Sequence, residues 1–262
     1  YIPNYDLMQD VSFEELKELN VEVGDTALRE TISQFKKYFP LMIEEINVYA
    51  DTLNFSMFFA GHAETVRTFL SNPYEGLFRC LVLQSDKARL KSLETPLKWI
   101  HQLWTTVLIC KALDISEFLR RPYEDKPTWR IEQGKPHPAF YAKTTSRNYY
   151  TFWFEPQPHE MAHMIRMVTG RRISVRPDIM VCKGVVEKYE QTQRVDLLVE
   201  CKNRKFQYWQ SEVKSQIEDY LKIYRPLNMV LVSMERVPNY AKHELEIRGI
   251  KIIDELTTNN KE

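Results

Sequence analysis

Three charged residues stand where charge is costly. Asp178 opens the run Asp178-Ile179-Met180-Val181, and Glu200 and Lys202 close the run Leu197-Leu198-Val199-Glu200-Cys201-Lys202. Both runs have the short apolar character of buried strands. Charge at the end of such a strand must be paired or hold a metal. Glu200 and Lys202 are two residues apart, so a strand points both side chains to one face. Asp178 lies beside them if the two runs are neighbours. Two carboxylates and an ammonium on one surface can hold a divalent metal and a water next to a phosphate.

An E-x-K tripeptide alone carries little weight, because the chain has four: Glu15-Lys17, Glu124-Lys126, Glu200-Lys202 and Glu212-Lys214. Only Glu200-Cys201-Lys202 ends a strand-like run. The P-D dipeptide occurs once, at Pro177-Asp178, where another such run begins. The segment after Lys202 reads as a helix, Ser211 to Tyr224, stopped by Pro226. Gln216 and Tyr220 are four apart, so they share one face of it.

This combination resembles the PD-(D/E)xK nuclease superfamily, and the Q-x3-Y helix resembles its RecB-type branch. The likeness covers about residues 150 to 233 and leaves the first half unassigned. It implies an α/β, restriction-endonuclease-like mixed sheet flanked by helices, here preceded by an α-helical N-terminal domain. It also implies metal-dependent hydrolysis of DNA phosphodiester bonds, by an endonuclease of restriction, repair or mobile-element type; RNA is an alternative substrate. Asp178 and Glu200 would bind Mg2+ or Mn2+, helped by the Cys201 carbonyl and by a residue on the helix before the first motif strand. Glu160 is the first choice for that residue, with His163 and Glu155 as substitutes. Lys202 would orient or deprotonate the attacking water, and Gln216 would hold the lysine or a phosphate. Arg176, Arg204, Lys205, Lys214 and Tyr220 are the candidate nucleic-acid contacts. A homodimer is expected of an enzyme that cuts both strands.

A rival motif overlaps this one. His159-Glu160-Met161-Ala162-His163 fits H-E-x-x-H, the zinc-metallopeptidase pattern, in which two His one helical turn apart bind zinc and the Glu is the base. Against it, Pro158 places His159 in the first helical turn, and Arg166 and Thr169 stand where the extended motif wants Gly and His. A third reading is a nuclease fold that binds nucleic acid without cutting; intact Asp178, Glu200 and Lys202 argue against it.

The elements that must position these residues follow from periodicity and breakers. The first half reads as helical: Phe13 to Leu19, Ala27 to Tyr38, Leu41 to Ala50 opened by Pro40, and Pro96 to Leu113, with Ile115 to Arg121 adding a last turn. Residues 121 to 148 carry Pro122, Pro127, Pro136 and Pro138, which predicts a boundary between a helical domain (1–125) and a nuclease domain (126–262). Strands follow at Tyr149 to Glu155, Ile173 to Val175, Asp178 to Val181, Arg194 to Lys202, Met229 to Ser233 and Lys251 to Ile253, with a short helix from His159 to Val168.

Composition agrees with a folded protein, at 44% hydrophobic and 12% aromatic residues. The neutral total hides a polarity. Residues 1–125 hold 13 Lys and Arg against 19 Asp and Glu, and residues 126–262 hold 23 against 17. The candidate site thus lies in the basic half, as phosphate binding favours. Four scattered Cys form no metal or disulfide pattern, which fits a reducing, cytoplasmic setting. The longest apolar stretch, Trp99 to Leu113, is too short and too polar to cross a bilayer.

Overall fold

The computed structural model describes residues 24–83, 85–156, 175–189 and 194–258. The segments Phe13 to Leu19 and His159 to Val168 lie outside the described residues. The chain is α/β, with a helical N-terminal region and a mixed seven-stranded sheet flanked by helices.

Helix α1 (Thr26–Thr52) starts at Asp25, whose carboxylate accepts from the Leu28 amide at 2.9 Å. It runs straight through Pro40, where two helices were expected. The lost hydrogen bond at Pro40 is outweighed by an unbroken buried stripe of Phe35, Phe39, Met42, Ile43 and Ile46. Two short helices, α2 (Thr65–Ser71) and α3 (Pro73–Leu81), lead to α4 (Asp86–Ala112). Helix α4 likewise continues through Pro96, which was expected to open it. Leu93, Leu97, Ile100, Leu103, Trp104 and Val107 are all buried along it, so its apolar circumference holds the turn that proline weakens.

After α4 the expected last helical turn is a strand instead. Asp114 adopts φ 56, which ends the helix, and β2 (Ile115–Leu119) runs antiparallel to β4 (Phe140–Thr144). The proline-rich stretch also contains strands: β4 itself and β3 (Thr128–Ile131), which pairs in parallel with β1 (Ser56–Phe59). Their prolines, Pro127, Pro136 and Pro138, fall just outside the ladders, where no amide is needed. Trp129 stacks on Phe140 at 4.2 Å between centroids, and Phe140 on Phe152 at 4.5 Å.

Strands β5 (Tyr149–Phe154), β6 (Ile179–Lys183) and β7 (Leu197–Lys202) form an antiparallel meander. Helix α5 (Gln210–Tyr224) crosses to β8 (Asn228–Ser233), parallel to β7, and α6 (Asn239–Ile247) crosses to β9 (Ile250–Ile253), parallel to β8. The order is β2-β4-β5-β6-β7-β8-β9. Side chains alternate between two cores. Ile179, Val181, Val199 and Cys201 join the cluster of α1 and α4, and Trp153, Met180 and Leu198 join that of α5 and α6. No helix among the described residues is long and apolar enough to cross a membrane.

Helix α4 is locked to the end of β5 by Trp99, which is buried and meets Phe154 edge-on at 6.4 Å. Trp99→Ala is expected to cost about 3–5 kcal/mol, read as a lower urea midpoint at unchanged slope.

Candidate active site

Strand register assembles the site. Phe154 pairs with Ile179, and Ile179 with Val199. One step further along each antiparallel ladder sets Glu155 beside Asp178 and Asp178 beside Glu200. The Glu155 amide donates to the Asp178 carbonyl at 3.0 Å, which extends the ladder to that step. Three carboxylates therefore stand in a row across the sheet end, and all three residues are buried, at 1%, 1% and 3% exposure.

The row is held from both faces. From α5, Gln216 accepts from the Lys202 ammonium at 3.2 Å and donates to the Tyr220 hydroxyl at 2.8 Å. That hydroxyl lies 2.7 Å from the Arg176 carbonyl and 3.1 Å from Glu200 Oε2. Lys202 Nζ reaches Glu200 Oε1 at 2.7 Å. From α4 on the other side, Lys98 Nζ bridges Glu155 Oε1 at 2.5 Å and Asp178 Oδ1 at 3.2 Å. Gln102 Nε2 donates to Asp178 Oδ1 at 2.5 Å and to Glu155 Oε1 at 3.2 Å. Gln133 donates to Glu155 Oε2 at 2.5 Å, and the Cys201 amide donates to Asp178 Oδ2 at 2.7 Å.

Glu155 takes a backbone conformation that few non-glycine residues adopt, φ 39. The strand ends there, and the side chain turns toward Lys98, Gln102 and Gln133. Strain of this kind persists where surrounding bonds fix it, and it clusters at functional sites.

The electrostatics divide the three acids. Burial, then the neighbouring Glu200, push Asp178 up to about 7, with Lys98 pulling the other way. Burial also opposes ionisation of Glu155, but Lys98, Gln133 and Gln102 outweigh it and hold that carboxyl below its ordinary range. Burial would lower Lys202, yet Glu200 and Asp178 raise it above the ordinary lysine value; Asp178 and Glu155 do the same for Lys98. Three acids thus face two ammonium groups.

Several expected residues meet here: Asp178, Glu200, Lys202 and Gln216, with Glu155 from among the substitutes. Glu160, His159 and His163 lie outside the described residues, as does the Lys214 side chain. Tyr220 is fully buried, so it holds Glu200 and does not face a nucleic acid. Arg204 is turned to Glu94 at 2.6 Å and stacks over Tyr208, and Lys205 pairs with Glu30 at 2.7 Å. Arg176 contributes its backbone carbonyl. The cysteine Cys201 is buried, and burial pushes its thiol well above the ordinary value; its amide serves Asp178.

Lys98, Gln102 and Gln133 escaped the sequence reading. One signal was present for the first two: a polar pair four residues apart on a helix that buries Leu97, Trp99, Ile100, Leu103 and Trp104 around them.

Oxygen donors at the cluster are the carboxylates and Gln102 Oε1, which is buried and has no hydrogen-bond partner among the described residues. Among the described residues, no three His, Cys, Asp or Glu side chains are grouped as a metal site. No family model matches the chain, and no curated protein or solved structure matches it.

Folding raises Asp178 from 3.8 to about 7. Between these values the native protein keeps a proton that the unfolded chain has released. The unfolded state then binds fewer protons, and stability falls as pH rises through the window. In EDTA the urea midpoint should therefore be lower at pH 7.5 than at pH 5, and the drop should shrink in Asp178→Asn. Lys98→Met removes the cation that opposes the shift, so the window should move to higher pH.

Proposed function

We propose that this chain is a metal-dependent nuclease that hydrolyses DNA phosphodiester bonds, with a restriction-endonuclease-like core formed by β5, β6, β7, α5 and β8. The observation that carries the reading is the register that places Asp178 against Glu200 at the end of β7, with Lys202 two residues on and bonded to both Glu200 and Gln216. The antiparallel β5, β6 and β7, the parallel β8 and the helix between β7 and β8 agree with the mixed, helix-flanked sheet that the resemblance implies. The polar side chains are spent on one another at a strand end, which a simple surface ion pair would not require.

A divalent cation fits the chemistry of the donors. Three buried carboxylates exceed two ammonium groups in number, burial and Glu200 hold Asp178 part-protonated, and Gln102 Oε1 is a buried oxygen without a partner among the described residues. Asp178 and Glu200 would hold Mg2+ or Mn2+, with the Cys201 carbonyl and Gln102 Oε1 as neutral oxygen donors. When bound, the ion supplies charge neutralisation at the phosphate and acidifies a water.

The chain's own residues do the rest. Glu200 and Asp178 keep Lys202 protonated, so its ammonium donates to a phosphate oxygen and offsets charge that develops there, rather than serving as the base. Gln216 and Tyr220 fix Lys202 and Glu200 from behind. Lys98 balances the acids and, with 42% of its side chain exposed, has room to turn toward an incoming phosphate. Two copies would be needed to cut both strands of a duplex at once.

Supercoiled plasmid incubated with Mg2+ or Mn2+ should be nicked or cut, and EDTA should stop the reaction. Asp178→Ala and Lys202→Ala should each lower the rate by at least about 100-fold, and Gln216→Ala by about 10–100-fold, with circular dichroism unchanged. Cleavage that survives both of the first two substitutions would place the chemistry elsewhere.

A further inference from the structure

A second feature lies on the α5 side of the sheet, beyond Lys202. A cleft of about 340 Å3 opens between the 3-10 turn Phe206–Tyr208, the start of α5, and α6. Its walls are the rings of Phe206 and Tyr240, whose centroids are 6.1 Å apart and nearly perpendicular. Val213, Ala241 and Leu245 line its apolar floor, and Gln210, Ser211 and Glu244 stand at its polar rim. Tyr240 is 68% exposed, a large ring left in water at the mouth.

The cleft is tied to the candidate site. Phe206 meets the buried ring of Trp209 at 4.7 Å, and Lys202 Nζ lies 5.9 Å from the centroid of that same ring. Trp209 is fixed by its indole N–H, which donates to the Arg204 carbonyl at 2.9 Å. The Arg204 guanidinium in turn lies over Tyr208 at 4.5 Å. Rings therefore run from Tyr240 through Phe206 and Trp209 to the ammonium that would meet the scissile phosphate, with two basic residues, Arg204 and Lys205, alongside.

We propose that this cleft binds one unpaired nucleobase of the DNA strand whose phosphate lies at Lys202, an inference that rests on the nuclease reading above. A base offers what the cleft is built for: an apolar face to stack on the exposed Tyr240 ring, which Phe206 buttresses edge-on, and a polar edge for the amide of Gln210, the hydroxyl of Ser211 and the carboxylate of Glu244. That carboxylate keeps Arg248 at 3.4 Å, so it is oriented at the rim and not swung into the floor. A base inside a duplex has its faces stacked and its edge paired, and cannot enter. Substrates with single-stranded or splayed nucleotides next to the cut are therefore favoured over uniform duplex.

The test uses the full chain with Ca2+ in place of Mg2+, and reads anisotropy of a labelled single-stranded oligothymidylate and of the same strand with one abasic position in each register. Tyr240→Ala should weaken binding of the intact strand by about 5- to 100-fold, the range expected for one aromatic–base stack. Tyr240→Phe should restore it. One abasic register should cost the wild type a similar factor and cost Tyr240→Ala nothing further. Equal affinity of wild type and Tyr240→Ala would overturn the proposal, as would an abasic penalty that persists undiminished in the variant. Plasmid and single-strand cleavage in Mg2+ separates the two readings. A wild type that cuts while Tyr240→Ala binds as well as wild type loses the cleft and keeps the nuclease; a wild type that binds bases at Tyr240 yet never cuts loses the nuclease and keeps the cleft.

Discussion

The arrangement depends on burying three neighbouring carboxylates at one sheet end. Glu155, Asp178 and Glu200 occupy successive places in cross-strand register, and all three are buried. Such a row is untenable without counter-charge and donors. Much of the architecture can be read as the supply of both. Helix α4 brings an ammonium and an amide from one face, α5 brings an amide and a hydroxyl from the other, and β7 brings its own lysine. The sheet order follows from the need for three adjacent strands, and the helical N-terminal region follows from the need to hold α4 at a fixed height above them.

Within this arrangement the acids are not equivalent. Glu155 has Lys98, Gln102 and Gln133 as donors and is held ionised. Asp178 is wedged between two other acids and is held part-neutral. Groups whose environments drive their proton affinities apart are the ones fit for different tasks. Glu155 is a fixed structural anion that anchors α4 to the sheet, whereas Asp178 is the member that gains most from a new cation. The same helix also buries polar side chains away from this row. His101, next in sequence to Gln102, is fully buried, and burial pushes its imidazole down to about 3, so it is neutral and packs near Trp104 as one more ring of the core.

What could be read from the sequence was local. Asp178, Glu200 and Lys202 were visible because each breaks an apolar run, and Gln216 and Tyr220 because four residues make one helical turn. The strands β5 to β8 and helix α5 were visible for the same reason. Lys98 and Gln102 were not, because their partners lie 53 to 80 positions away in sequence, and no periodicity reports a contact of that range. Pro40 and Pro96 misled in the opposite sense: a local breaker was overruled by packing along α1 and α4 that only the folded chain reveals. Strands β3 and β4 were hidden among prolines that sit outside the hydrogen-bonded positions, so the breakers there marked strand ends.

The origin of Lys98 has a consequence for how this protein can vary. Its ammonium belongs to a helix that precedes the motif strands by a long stretch of chain, and it is the nearest cation to two of the three acids. The acidic row is therefore not a portable cassette. A chimaera that inherited only the strands and α5 would carry three anions and one lysine, and its new host would have to replace the missing charge before the sheet end could close. Recombination that shuffles the front half of this chain is constrained by two side chains on a single helical turn, over and above the packing of its core.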